Sequence, residues 1–290
     1  MKTFGLILNL EKPNALRAVS DIVTYARELG LTLWLEESIP FQQEDVRRCP
    51  TSAFAEKGVE AVVVLGGDGT MLSASHALAG QGLPLVGFNI GSLGYLTSVE
   101  EASFRDALEQ LREDRFQIGR RTLLDVCVER QGFHEERLPE ALNDVVISRG
   151  ISGTAIELDL MLDDQTVSRF LCDGIIVATP TGSTAYSLAA GGPILLPDAE
   201  ALVISPICPH TLTSRPLVVR DGTRIAIRAV ACNEPMLLSV DGAGDASLVP
   251  GDNVQIAKSV RTVPVINLPG YNPCDVMRRK LGWGGRSHRK

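Results

Sequence analysis

The chain has 290 residues, 44% apolar and 22% charged, with 28 Lys and Arg against 35 Asp and Glu and a mean hydropathy of +0.11. The apolar content excludes an intrinsically disordered chain, and the net charge of −7 argues against a dedicated nucleic-acid binder, which carries a basic patch. No apolar run reaches the roughly 18–20 residues that a membrane-spanning helix needs. The opening Met1–Leu8 meets charged residues too early for an export signal, so we expect a cytoplasmic protein of about two domains.

The cysteines and histidines show no spacing typical of metal binding. None of the six cysteines forms a C-x-x-C pair, and none of the four histidines forms an H-x-x-x-H pair. We therefore expect reduced, scattered thiols and no structural metal cage.

The first hundred residues alternate between short apolar runs and segments with helical periodicity. The runs predict strands at Phe4–Leu10, Leu31–Leu35, Ala61–Leu65 and Leu83–Phe88, and the periodicity predicts helices at Ala15–Gly30, Met71–Ala79 and Phe104–Arg112. Because these strands are continuously apolar, we expect a parallel sheet covered by helices on both faces.

From Arg120 to about Ile266 the pattern changes to short, β-branched strands broken by Gly, Pro and Asp. Predicted strands are Leu123–Val128, Ala155–Leu162, Gly174–Ala178, Leu217–Val219, Arg224–Ala229, Met236–Val240 and Val254–Ala257, with one helix-like insert at Ala185–Ala190. This density of short strands is typical of an antiparallel sandwich or a layered β domain. The remaining tail, Pro273–Lys290, is rich in Arg and Lys and predicts either a basic patch or a short helix with a solvated end.

The sharpest local signal is the segment Gly66–Thr70, which reads G-G-D-G-T between a predicted strand and a predicted helix. Ligands bind beyond the carboxyl ends of parallel strands, glycines allow close backbone approach, and a helix N-terminus favours phosphate. Asp68 would repel phosphate, so we expect it either to accept a hydroxyl proton or to hold a magnesium ion. The alternative is a tight turn in which Asp68 only caps the helix. A second glycine turn, Asn89–Leu96, follows the next strand and should lie at the same edge of the sheet, although its G-x-x-G spacing is common.

The segment Asp173–Tyr186 places a run of small hydroxylated residues directly after a strand. Ser and Thr hydroxyls with neighbouring N–H groups suit phosphate or ribose oxygens, and Tyr186 is able to stack on a base. The hydrolase elbow G-x-S-x-G is not matched, because Ser183 follows Gly182 directly. The pairs Asn143–Asp144 and Asp241–Gly242 carry carboxylates, but each alone is better explained as an ordinary turn.

Taken together, these motifs resemble the NAD kinase family, which phosphorylates the adenosine 2′-hydroxyl of NAD. G-G-D-G alone is shared with lipid kinases and phosphofructokinases, whereas the block T-P-T-G-S-T-A-Y is far more specific. The matching segments are, in the family's order, Gly66–Thr70, Asn143–Asp144, Asp173–Tyr186 with Gly191–Pro193, and Ser205–His210 with Arg215–Leu217.

The resemblance implies transfer of the ATP γ-phosphoryl group to NAD, giving NADP, with Asp68 as proton acceptor and a divalent metal, expected to be Mg²⁺. It assigns no protein residue as a ligand of this metal. The residues expected to bind NAD are Asp68, Gly69, Asn143, Asp144, Asp173, Thr184, Ala185, Tyr186, Ser187, Leu188 and Ala189.

The resemblance also implies an architecture and an assembly. We expect an amino-terminal parallel α/β domain over residues 1–118 that carries the G-G-D-G-T loop, an all-β, layered NAD-binding domain over 119–266, and a tail, 267–290, that returns to the first domain. The expected partners are NAD and ATP, with no nucleic acid and no membrane, in a homodimer or homotetramer in which the segment around Tyr186 completes the pocket across a subunit boundary.

Three positions depart from the family pattern. Asp144 stands where Glu is usual, Leu171 where some bacterial members carry a basic residue, and Ala243 where Gln is frequent. The sequence leaves open NAD against NADH, ATP against polyphosphate, the number of subunits and feedback by NADPH. The rival hypotheses are a lipid kinase, a non-catalytic NAD sensor and, with less support because no G-x-G-x-x-G follows the first strand, a hydride-transfer enzyme.

Overall fold

The computed structural model describes residues 1–41, 43, 46–91, 94–130, 134–151 and 153–283. The helices are α1 (Ala15–Glu28), α2 (Asp68–Ala77), α3 (Phe104–Arg112), α4 (Tyr186–Ala189) and α5 (Pro273–Leu281). The strands are β1 (Thr3–Leu8), β2 (Thr32–Glu36), β3 (Arg47–Cys49), β4 (Ala61–Gly66), β5 (Leu85–Asn89), β6 (Thr97–Glu100), β7 (Gln117–Arg130), β8 (His134–Arg137), β9 (Asp144–Ser148), β10 (Ile156–Leu162), β11 (Gln165–Cys172), β12 (Gly174–Ala178), β13 (Ala201–Ile207), β14 (Leu217–Arg220), β15 (Ile225–Ala231), β16 (Met236–Val240), β17 (Ala243–Leu248) and β18 (Asn253–Asn267).

The chain divides into two compact units. The first comprises Met1–Arg120 together with Val263–Lys290, and the second comprises Arg121–Thr262. None of the helices in the described part of the chain is both long enough and apolar enough to cross a lipid bilayer.

The first unit is built on a parallel sheet, as predicted. Its strand order is β3-β2-β1-β4-β5-β6, and the end of β18 adds a parallel contact between Val265 and Leu85. Alternate residues of β4 and β5, including Val63 and Phe88, join one core cluster with α1 and α3. Val62 and Val64 point the other way and are equally buried, so both faces of the sheet are covered.

The helix boundaries follow the apolar periodicity with one exception that matters for the site. α3 occupies the predicted residues, and α1 ends just before Gly30, whose φ of +68° favours glycine. α2 begins at Asp68, three residues before the predicted Met71, because the glycine loop itself opens the helix. Asp68 therefore lies in the first turn of a helix and not in a loop ahead of it.

The second unit consists of two antiparallel layers, as the density of short strands predicted. One layer contains β11-β10-β15-β18 and the other β14-β13-β12-β9-β16-β17. Their inward residues, such as Leu158 and Ile227 from the first layer and Val145 and Val177 from the second, form one apolar core. The helix-like insert predicted at Ala185–Ala190 is α4.

The carboxyl-terminal segment forms a helix in the part that the structure describes, as one of the two predictions expected. The Asn272 side chain caps α5 by accepting from the Cys274 N–H, and Gly282 ends the helix at φ +67°. Arg278 pairs with Asp275 at 2.8 Å, and Arg279 pairs with Glu100 at 2.6 Å. Lys280 also lies in α5, whereas Arg286, Arg289 and Lys290 lie outside the described residues.

Candidate functional site

Asp68 is held by the loop that follows the neighbouring strand. Its Oδ2 accepts a hydrogen bond from the Tyr95 N–H and its Oδ1 one from the Leu96 N–H, both at 2.8 Å. No side chain caps α2, whose N-cap is Gly67, so the interpretation of Asp68 as a simple helix cap is wrong. The prediction that the two glycine turns share one edge of the sheet is confirmed for the described residues of the second turn; Ser92 and Leu93 of that turn lie outside them.

Two glycines leave room for this arrangement. A Cβ on Gly94 would collide with the Asp68 Oδ1 and crowd the Thr97 hydroxyl, and a Cβ on Gly66 would collide with Thr70 at the start of α2. Gly94 also donates its N–H to the Thr97 hydroxyl at 3.1 Å. Close approach to the carboxylate therefore requires the absence of a side chain at position 94.

Gly67 and Gly69 differ from these two, because nothing lies within 4 Å of a Cβ built at either position. Folding alone does not require glycine there. The open space lies at the N-terminus of a helix of ten residues, where unpaired N–H groups favour an anion. The loop is thus able to admit a ligand close to its backbone.

In the second unit, Asp241 binds the backbone of the Asn143–Asp144 pair. Its Oδ1 accepts from the N–H groups of Asn143 and Asp144 at 2.7 and 3.1 Å, and its Oδ2 accepts from that of Leu142 at 2.8 Å. Asp241 adopts a φ of +52° and donates its own N–H to the Asp144 carbonyl. Asp241 is therefore more than a turn residue, since it fixes three consecutive peptide groups about a hundred positions earlier in the chain.

Asp144 is a buried carboxyl group with an altered acidity. It is 5% exposed. Burial, with a further contribution from the nearby Asp241 charge, raises the pKa of Asp144 from 3.8 to about 6, and a hydrogen bond from the Tyr186 N–H opposes this shift. Asp144, Tyr186 and Asp241 thus form one linked cluster. Tyr186 itself has about half of its side chain exposed.

The T-P-T-G-S-T-A-Y segment is attached to the same cluster. The Thr179 N–H donates to the Asn143 carbonyl at 2.9 Å, and the Thr179 hydroxyl donates to the Leu142 carbonyl at 2.6 Å. Gly182 packs directly on the Asn143 carbonyl, which leaves no room for a Cβ. Asp144, the first residue of β9, pairs with Ala178, the last residue of the antiparallel strand β12. This pairing brings Asn143 and Asp144 next to the segment that follows β12.

Several hydroxyls of this segment are not available to a ligand. Thr179, Ser183 and Ser187 are fully buried. The Ser183 hydroxyl donates to the Pro180 carbonyl, and the Ser187 hydroxyl lies 3.0 Å from that of Ser205. The prediction that these hydroxyls cradle phosphate or ribose oxygens is wrong for these three residues, because their hydroxyls are buried and bond within the protein.

The other predicted positions are distributed as follows. Thr184 and Ala185 are partly exposed in the turn before α4, and Leu188 and Ala189 are partly and largely exposed within it. Asp173 lies elsewhere, at the opposite end of β12 from Asp144. Since β12 has five residues, this separation is about 17 Å. The Asp173 carboxylate instead pairs with the Arg149 guanidinium at 3.0 Å.

Both units of the chain match models of one known family. The model of the ATP-NAD kinase N-terminal domain matches residues 4–116, and the model of the ATP-NAD kinase C-terminal domain matches residues 142–268. The chain belongs to the NAD kinase family. The NAD kinase of Syntrophotalea carbinolica is 37% identical over 286 residues, covering 99% of this chain and 100% of that protein. The NAD kinase of Symbiobacterium thermophilum is 36% identical over 283 residues, covering 97% and 99%.

Solved structures of NAD kinases show the same fold. A yeast NADH kinase complexed with NADH matches with a TM-score of 0.89 and 25% identity, over 100% of this chain and 90% of the yeast chain. An NAD kinase from Archaeoglobus fulgidus in complex with ATP matches with a TM-score of 0.73 and 24% identity, over 97% and 98%, and supports the fold alone.

Sequence reasoning missed the residues that position the candidate side chains. The sequence around Asp241 indicates only a turn, because its partners, Leu142 to Asp144, are remote in sequence. The N–H groups that bind Asp68 belong to Tyr95 and Leu96, and a backbone donor has no side-chain signature. The one usable signal was the second glycine turn, which places Gly94 beside them.

Proposed function

We propose that this NAD kinase transfers the γ-phosphoryl group of ATP to the 2′-hydroxyl of the adenosine ribose of NAD, giving NADP, with Asp68 as the proton acceptor. The observation that carries the proposal is the placement of the Asp68 carboxylate at the N-terminus of α2, fixed by the N–H groups of Tyr95 and Leu96. The relatives that match nearly the whole chain are named NAD kinases.

The hydrogen bonding of Asp68 suits a group that accepts a proton. Each carboxylate oxygen accepts one backbone N–H and keeps capacity for a second donor. A ribose hydroxyl is such a donor, and the two N–H groups hold the carboxylate in one orientation. Since phosphoryl transfer depends mainly on positioning and electrostatics, the fixed orientation is as important as the basicity.

The proposal also includes a divalent metal ion, because the reaction transfers a phosphoryl group of ATP and phosphates are ligands of such ions. Mg²⁺ is commonly bound by one or two carboxylates together with substrate phosphates and water. The described residues contain no group of three or more His, Cys, Asp or Glu side chains placed to hold an ion. The phosphates of ATP are ligands of this kind, and an ion bound to them would neutralise phosphate charge.

In the second unit, we assign the NAD pocket to Asn143, Asp144, residues 184–186, Leu188 and Ala189. The carboxyl of Asp144 and the exposed ring of Tyr186 suit the hydroxyls and the flat bases of a dinucleotide. Asp173, which is paired with Arg149 about 17 Å along the sheet, would contact a different part of the ligand or a ligand bound to another subunit. The homo-oligomeric state and the cytoplasmic location stay predictions.

One assay tests the proposal. The protein is incubated with NAD, ATP and Mg²⁺, and NADP⁺ is measured with an NADP-specific dehydrogenase. Formation of NADP⁺ supports the proposal, whereas binding of NAD without NADP⁺ would favour the sensor hypothesis. Parallel reactions with NADH, with polyphosphate and with diacylglycerol determine the acceptor and the donor.

A further inference from the structure

Asn89, the last residue of β5, carries a polar atom without a partner. Its side chain is 5% exposed, and its Oδ1 is buried with no hydrogen-bond donor in the described part of the protein. A buried carbonyl oxygen that gives up water without gaining a donor costs folding free energy. The family relationship and the residues assigned above leave this atom unexplained.

The position of Asn89 places this atom beside the glycine loop. In the parallel pair β4–β5, Asn89 is the register partner of Gly66, the first residue of G-G-D-G-T. Phe88 points into the core with α1 and α3, so Asn89 points to the opposite face. Gly66 faces that same side, where Thr70 of α2 covers it.

The chemistry of the Asn89 side-chain amide determines which groups are able to form a hydrogen bond with its Oδ1. A side-chain carbonyl oxygen only accepts hydrogen bonds, so the missing partner is an N–H or an O–H group. Phosphate oxygens are excluded as partners. In a nucleotide the remaining donors are the ribose hydroxyls and the amino groups of the bases.

We propose that Asn89 is a binding residue whose Oδ1 accepts a hydrogen bond from a hydroxyl or amino group of a bound nucleotide substrate. Two independent features point to the ligand, namely the open space at the N-terminus of α2 and the unpartnered oxygen beside it. The inference rests on the proposed function in one respect, that this edge of the sheet binds a nucleotide. Asn89 thereby adds a contact that selects for a hydrogen-bond donor beside the phosphate-binding loop.

The Asn89→Leu variant tests this, because Leu has nearly the shape of Asn but no hydrogen-bonding group. We expect unchanged or higher resistance to urea in the absence of ligand, since a buried unpaired oxygen is removed. We expect the KM for NAD or for ATP to rise about fivefold to tenfold. A rise for NAD alone places the donor on NAD, and a rise for ATP alone places it on ATP; either supports the proposal.

The matched control is Gln110→Met. Gln110 belongs to α3 of the same unit, and its Oε1 is also buried without a partner in the described part of the protein. α3 packs with Phe88, on the face of the sheet opposite to Asn89. This variant should keep both KM values. Unchanged KM values in an active Asn89→Leu protein, or lowered urea resistance with unchanged KM values, would overturn the proposal.

Calorimetric titration of NAD and of ATP keeps the test independent of turnover. If the wild-type protein binds nucleotides without forming NADP⁺, the proposed function fails, yet weaker binding by Asn89→Leu still supports the role of Asn89. If Asn89→Leu does not fold, Asn89→Ala is titrated instead, and unchanged affinity for both nucleotides contradicts the proposal.

Discussion

Gly94 lies against the carboxylate of Asp68 so closely that no side chain fits between them. The two residues are 26 positions apart and are brought together because the loops after β4 and β5 meet at one edge of a parallel sheet. The orientation of Asp68 therefore depends on a residue that takes no part in proton transfer.

Replacing Gly94 by Ala should displace the Asp68 carboxylate and lower kcat by more than about tenfold, because a shift of about 1 Å in a reacting group is costly. Steady-state kinetics with NAD and ATP measure the effect. Gly222→Ala is the control, since its Cβ would meet nothing within 4 Å. Normal kcat in Gly94→Ala would show that the position of the carboxylate is unimportant.

Gly69→Ala should separate stability from ligand binding. Nothing lies within 4 Å of a Cβ at position 69, and Ala is favoured over Gly within a helix by about 0.5–1 kcal/mol, so urea unfolding should show equal or higher stability. The added methyl group occupies space that we assign to the substrate, and the KM for NAD or ATP should rise about tenfold. Unchanged KM values would mean that no ligand approaches this backbone.

Asp241→Asn should loosen the Asn143–Asp144 pair. The Asp241 carboxylate accepts hydrogen bonds from three backbone N–H groups. The amide of Asn would place its own N–H groups against one of these donors, and we expect this to lower the free energy of unfolding by about 1–3 kcal/mol. The KM for NAD should rise more than kcat falls. The exposed Asp198→Asn is the control, and an unchanged KM for NAD in a folded Asp241→Asn protein would contradict this role.

Asp144 should make stability depend on pH in a known direction. Its folded pKa of about 6 exceeds its ordinary value of 3.8, so the folded protein binds this proton more tightly than the unfolded chain does. The contribution of Asp144 to the free energy of unfolding therefore decreases as pH rises from about 4 to about 6. The Asp144→Asn variant should not show this decrease in stability, because it has no carboxyl group to ionise at this position.

Urea titrations of the wild-type protein and Asp144→Asn at pH 4 and pH 7.5 test this effect. The variant should be the more stable protein at pH 7.5, and the two should be nearly equal at pH 4. A difference in stability that does not change with pH would show that the Asp144 carboxyl has an ordinary acidity.

Most of the fold was predictable from the sequence, because burial imposes a regular spacing on the apolar residues of helices and strands. Continuous apolar runs marked the central strands β1, β4 and β5, which are covered on both faces, and the periodicity of α3 gave its observed ends. The polar strand β3 and the edge strand β11 were missed, since their exposed residues have no apolar pattern. β13 was missed although it is buried, because Pro206 interrupts its apolar run.

The candidate site was predictable only in part, for a different reason. Asp68, Asn143 and Asp144 stand in recognisable motifs, and G-G-D-G-T follows a strand as phosphate-binding loops do. Asp241 and the N–H groups of Tyr95 and Leu96 act through contacts that only the folded chain creates. The burial of Ser183 and Ser187 likewise depends on packing and not on the local sequence.

The most direct test of the account replaces Asp68 by Asn and measures NADP⁺ formation and NAD binding on the same preparation. General-base assistance is typically worth about 10²–10⁴-fold, so turnover should fall by at least about a hundredfold while the dissociation constant for NAD stays close to that of the wild-type protein. Turnover within a few-fold of the wild-type rate would contradict the role of Asp68 as proton acceptor.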